Sequence, residues 1–108
     1  MGISYAWEKM FKAVVGMAQS PATLPERIAS AYTENIIHLT YPGVGDDVPD
    51  DLKPMLAAIK TAMEITQSTG TEGTATASAS SMTNAQAEDV ACQITRLFDE
   101  VQSRYWRG

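Results

Sequence analysis

Residues 83–105 read TNAQAEDVACQITRLFDEVQSRY, and their spacing decides the fold class. Ala87, Val90, Ala91, Ile94, Leu97, Phe98, Val101 and Tyr105 recur three and four residues apart. That period places them on one face of an α-helix. Thr83 followed by Gln86 has the form of a capping box, in which each residue satisfies the other's free backbone N–H. Glu100 and Arg104 add an i,i+4 ion pair on the outer side.

Three more amphipathic segments precede this one. Over residues 4–19, Trp7, Met10, Phe11, Val14, Met17 and Ala18 share a face, and Glu8 and Lys12 lie opposite. Ser20-Pro21 ends that helix, because the residue before a proline resists the α conformation. Over residues 24–40, Thr23 is the N-cap and Pro25 sits in the first turn, where its missing N–H does no harm. Leu24, Ile28, Ala31, Tyr32, Asn35, Ile36 and Leu39 face inward, and Arg27, Ser30, Glu34 and His38 face water. Tyr41-Pro42-Gly43-Val44-Gly45 stops the helix. Over residues 50–67, Leu52, Met55, Leu56, Ile59, Ala62, Met63 and Thr66 keep helical register. Pro54 must lie in the opening turn, since deeper inside it costs about 3 kcal/mol.

No run of bulky residues alternates with period two, so strands have little support. Residues 68–82 are Gly, Ser, Thr and Ala with Glu72, and lack a large apolar anchor before Met82. A connection of this length and composition reads as a flexible crossover. The expectation is one all-α domain over residues 1–108. It is an up-and-down four-helix bundle with the long Ser/Thr/Ala-rich crossover before its last helix. The expected core is Trp7, Phe11, Val14, Ile28, Tyr32, Leu39, Leu52, Leu56, Ile59, Met63, Val90, Ile94, Leu97, Phe98 and Val101.

Leu24-Pro25-Glu26-Arg27 with Ala31-Tyr32, Asp50-Asp51-Leu52, and Leu97-Phe98-Asp99-Glu100 together resemble small bacterial all-α proteins of uncharacterised activity. The resemblance implies a bacterial source and an all-α fold. It implies no catalytic residue.

Bulk composition excludes some functions. The net charge is -5, from 13 acidic and 8 basic residues, and no cluster of Lys and Arg occurs. Nucleic-acid binding needs a basic stripe that displaces phosphate counterions, so it is not expected. Nor is the acidic excess large enough to mimic DNA. Cys92 is the only cysteine, which rules out an intramolecular disulfide and fits a reducing, cytoplasmic setting. No apolar run approaches the roughly 20 residues of a membrane helix, and Glu8, Lys9 and Lys12 interrupt a signal-peptide core. Met1-Gly2 suggests myristoylation, but Ala6 stands where that motif takes Ser or Thr.

Catalytic and metal chemistry find little support. His38, the only histidine, reads as a surface residue, for one imidazole and Glu34 do not complete a zinc shell. Cys92 follows Glu88 and Asp89, which oppose thiolate formation, so it reads as a half-buried small hydrophobe. The carboxylates in residues 45–51 lack EF-hand spacing and suit the start of a helix. Gly43-Val44-Gly45 and Gly70-Thr71-Glu72-Gly73 follow no strand and carry no P-loop lysine. The chain is therefore expected to carry no catalytic residue, metal or cofactor.

Two groups of residues remain as weak site candidates. Asn35 on the inward face needs a hydrogen-bond partner, and with Tyr32 and His38 it is a candidate ligand site. Tyr105, Trp106 and Arg107 are residue types that dominate interface hot spots, which makes them candidates for binding a partner. Apolar positions such as Met10, Ile36 and Ile37 exceed what a small bundle covers, so a homodimer is expected. The leading expectation is a non-catalytic interaction or regulatory module that self-associates. The alternatives are a small-molecule-binding bundle or minor enzyme around Tyr32, Asn35 and His38, and an antitoxin-like acidic protein that neutralises a basic partner.

Overall fold

The computed structural model describes residues 2–39, 47–64 and 78–107. These residues are helical, with no strand among them. Helix α1 spans Ile3–Gln19 and α2 spans Leu24–Glu34. A 3₁₀ turn over Ile36–Leu39 follows, and a second over Asp50–Leu52 leads into α3, Lys53–Met63. The long α4 runs over Asn84–Arg107.

The ends of the helices follow local chemistry. The Thr83 N–H donates to Gln86 Oε1 at 2.8 Å, and the Gln86 N–H donates to Thr83 Oγ1 at 3.1 Å. This reciprocal pair fixes the start of α4. Thr23 Oγ1 accepts from the Glu26 N–H at 3.4 Å at the start of α2, with Pro25 in the first turn. At the far end of α1, Ser20 turns extended (φ -75°, ψ 135°) ahead of Pro21. Arg27 Nη1 donates to the Met17 carbonyl at 3.1 Å, which occupies a carbonyl left open at the end of α1.

Packing centres on α4. It lies against α1, α2 and α3, and α1 also packs on α2. Trp7 meets Tyr105 and Phe11 meets Phe98, so α1 and α4 run antiparallel. The inward face of α4 is Ala87, Val90, Ile94, Leu97 and Val101, all buried. Opposite it, α1 buries Ala6, Met10, Ala13 and Met17. The two alanines let the α1 backbone come close to its neighbours, as small residues at a helix contact do.

Several expectations need correction. Phe11 is not core: it is 42% exposed, because α1 is turned so that Ala6 and Ala13 point inward. Trp7, Val14 and Phe98 are half-buried, and Ala18 is exposed. The α-helix expected over residues 24–40 ends at Glu34. Asn35 is its C-cap (φ -132°, ψ -63°), and the chain tightens into the 3₁₀ turn. Three residues per turn stack Ile36 and Leu39 on one side, and both are fully buried. Asn and β-branched Ile are also weaker helix formers than the residues before them.

The third segment opens in 3₁₀ form and its α-helix stops at Met63, short of residue 67. Residues 40 and 65–67 lie outside the described residues. So does most of the expected crossover, residues 68–77. Residues 78–80 are helical rather than flexible loop, with Ser78 at 0% and Ala79 at 3% exposure. Small side chains anchor here by fitting close to the core. Val48 and Asp47 are also buried. The Asp47 carboxylate accepts from the Gly2 N–H, which ties the start of α1 to this segment.

Candidate interaction surface

Rotating Phe11 out of the core builds an aromatic surface along the α1–α4 seam. The Trp7 ring stacks on Phe11 at 5.1 Å between centroids and on Tyr105 at 5.0 Å, with interplanar angles of 16° and 17°. Trp106 meets both edge-on, at 6.4 Å from Trp7 and 5.2 Å from Tyr105. Phe98 lies tilted against Phe11 at 6.3 Å. These offsets are the arrangements that the ring quadrupoles favour. Trp106 is nevertheless 71% exposed. An indole held on a scaffold of rings yet open to solvent is pre-organised for contact at little entropic cost. The Trp7 Nε1 atom is buried without a hydrogen-bond partner among the described residues, which marks this cluster as imperfectly satisfied by the chain itself.

Charges border the seam. On α1, Lys12 Nζ donates to Glu8 Oε1 at 2.9 Å, and this bond is the main reason the Glu8 carboxyl lies below its usual pKa. On α4, Glu88 and Asp99 are exposed. Elsewhere, the Arg104 guanidinium grips Asp51 with bonds of 2.9 and 2.7 Å. Those bonds hold the Asp51 carboxyl below its ordinary range and raise the pKa of Arg104. Glu100, its expected i,i+4 partner, also bonds to it, at 3.5 Å.

The candidate ligand residues serve the fold. Tyr32 is fully buried, and its hydroxyl donates to the Glu64 carboxylate just beyond α3. Asn35 is 8% exposed, and its carbonyl accepts from the His38 N–H at 3.2 Å in the 3₁₀ turn. His38 is half-buried there, not on the wet face of a continuing helix. Thus Asn35 and His38 are brought together through backbone, while the Tyr32 side chain is directed to α3. Of the partner candidates, Tyr105 is half-buried in the ring stack, whereas Trp106 and Arg107 are exposed. Cys92 is also exposed, a correction to its expected half-buried position.

Sequence reasoning missed Phe11 as a surface residue, since a phenylalanine at helical spacing reads as core. Among the described residues, no three His, Cys, Asp or Glu side chains gather where they could hold a metal ion. No helix among them is long and apolar enough to cross a membrane. Comparison with protein-family models, curated proteins and solved structures gives no match to this chain.

Proposed function

We propose that this chain is a non-catalytic helical interaction module that self-associates through the aromatic seam between α1 and α4. The observation that carries the reading is Trp106 at 71% exposure on a stack that also leaves Phe11 at 42%. Exposed aromatic clusters on small domains mark interaction sites, and Trp and Tyr contribute most to binding there. A second copy is favoured because the seam is an antiparallel helix pair, a face that a two-fold axis can lay against itself. We read the whole arrangement as an up-and-down four-helix bundle that doubles across this seam. The exposed thiol of Cys92 suits a reducing, cytoplasmic setting.

Sedimentation equilibrium tests the proposal directly. The expected mass is twice the 11.7 kDa of the chain, and Trp106→Ala shifts it to the monomer while the helical circular dichroism is unchanged. A monomeric mass for the unaltered protein at 100 μM, on the order of weak dimer affinities, overturns it.

A further inference from the structure

The aromatic seam carries both a knob and a hollow. The knob is the Trp106 indole, 71% exposed and set edge-on against Trp7 and Tyr105. The hollow, of about 520 Å³, is lined by Ser4, Tyr5, Trp7, Glu8 and Tyr105. Trp7 and Tyr105 belong to both features, so knob and hollow sit side by side. A space of this size takes a small organic group.

The lining matches an indole in shape and in polarity. An indole is a flat apolar body with a single N–H that only donates. Tyr5, Trp7 and Tyr105 supply aromatic wall. Lys9 Nζ lies 5.6 Å from the Tyr5 ring centre, a cation–π contact that steadies one part of that wall. Ser4 and Glu8 form the polar side. The Glu8 side chain is 53% exposed, so a donor entering from outside reaches it. Lys12 bonds to Glu8 Oε1 at 2.9 Å and lowers the pKa of the carboxyl, which keeps this acceptor charged. A carboxylate accepts several donors, and a charged acceptor makes the stronger bond.

We infer that the Trp106 indole of each copy inserts into this hollow on the other copy, with its Nε1–H donating to the Glu8 carboxylate there. The inference rests on the reading that the chain self-associates through the seam, and it names the contact that locks the pair. Because knob and hollow are neighbours, a two-fold axis passing between them makes both insertions at once. Each indole and the wall it covers remove on the order of 300 Å² from water, so the two insertions supply about half of the roughly 1,200 Å² at the low end of specific interfaces. Phe11, 42% exposed on the same seam, adds to that area. A weak, concentration-dependent dimer is the expected result.

Complementation tests the lock, with sedimentation of the full chain up to about 1 mM as the measurement. Trp106→Ala lacks the knob and keeps the hollow. Ser4→Arg keeps the knob and fills the hollow, since the new guanidinium reaches Glu8 one turn along α1. Both positions are exposed, and circular dichroism checks that each variant folds. Each variant alone is expected to stay monomeric, and an equimolar mixture to associate more tightly than either, because one knob still meets one open hollow. Trp106→Phe and Glu8→Ala each weaken the homodimer about tenfold, and together no further, as both remove the same bond. Should Ser4→Arg unfold, that pair of variants decides.

The two readings fail differently. A monomeric unaltered protein overturns self-association and the insertion with it. A dimer that survives Ser4→Arg, a mixture that associates no better than its components, or additive losses from Trp106→Phe and Glu8→Ala overturns the insertion alone and leaves the seam as the interface.

Discussion

Arg104 and Asp51 are 53 residues apart in sequence, yet the guanidinium closes on the carboxylate in a two-pronged contact of 2.9 and 2.7 Å. The pair joins the last turns of α4 to the 3₁₀ turn that starts α3. Because bonding from Arg104 lowers the Asp51 pKa, the contact stabilises the folded state above the ordinary aspartate value of 3.8 and is lost as pH falls below it. Asp51→Asn is therefore expected to lower the melting temperature at pH 7, with the gap to wild type closing as the pH drops well below 3.8. The carboxylate is largely exposed and the guanidinium half-buried, so the gap also narrows in 1 M salt, where the Debye length is about 3 Å. A gap that persists at low pH refutes the assignment.

Tyr105 and Trp106 are adjacent in sequence but have separate tasks. Tyr105 stacks within the fold, and its replacement by Ala is expected to reduce stability by at least about 0.5–1.5 kcal/mol, the worth of a ring pair beyond area burial. Trp106→Ala should stay within about 0.5 kcal/mol for the dissociated chain. Urea unfolding at low protein concentration separates the two, and equal losses would contradict the division.

The interior of α4 sets the largest single effect. Ile94 is fully buried at the meeting of the helices. Ile94→Ala is expected to cost about 2–5 kcal/mol in chemical unfolding, through lost burial and the cavity left behind. Cys92→Ala, two residues away and exposed, should change stability by less than about 0.5 kcal/mol.

The capping box has its own signature. Thr83→Ala removes the acceptor for the Gln86 N–H and is expected to cost about 1 kcal/mol. Hydrogen exchange localises the effect: amides in the first turn of α4 gain exchange, and those near Ile94 change only through global stability.

Tyr32→Phe probes the bond between α2 and the end of α3. Its hydroxyl donates to Glu64 while the ring is fully buried. The loss is expected at about 1.5–3 kcal/mol, the range for hydrogen bonds to charged groups, read from thermal or urea melts.

Helix type, caps and the α4 stripe were legible in the chain because each depends on residues within a turn or two. Thr83 with Gln86, Thr23 before Pro25, and Glu8 with Lys12 act over three or four positions, and all three interactions occur. The turn at Asn35 was less legible. Its inward spacing reads equally as a continuing helix, and only the packing of both Ile36 and Leu39 selects the tighter winding.

What the sequence by itself determined is the set of amphipathic helices, since periodicity and capping are local properties. Only the tertiary structure decided the rotation of α1, which buries Ala6 and Ala13 and turns Phe11 outward to build the aromatic seam. It alone brought Arg104 to Asp51 in addition to Glu100, and left Gln93 Oε1 buried without a partner among the described residues. The physical reason is that a helix carrying more apolar residues than one face can hold has several rotations of similar burial. Which face turns inward depends on how closely the neighbouring backbones can approach, and that is fixed by the other helices.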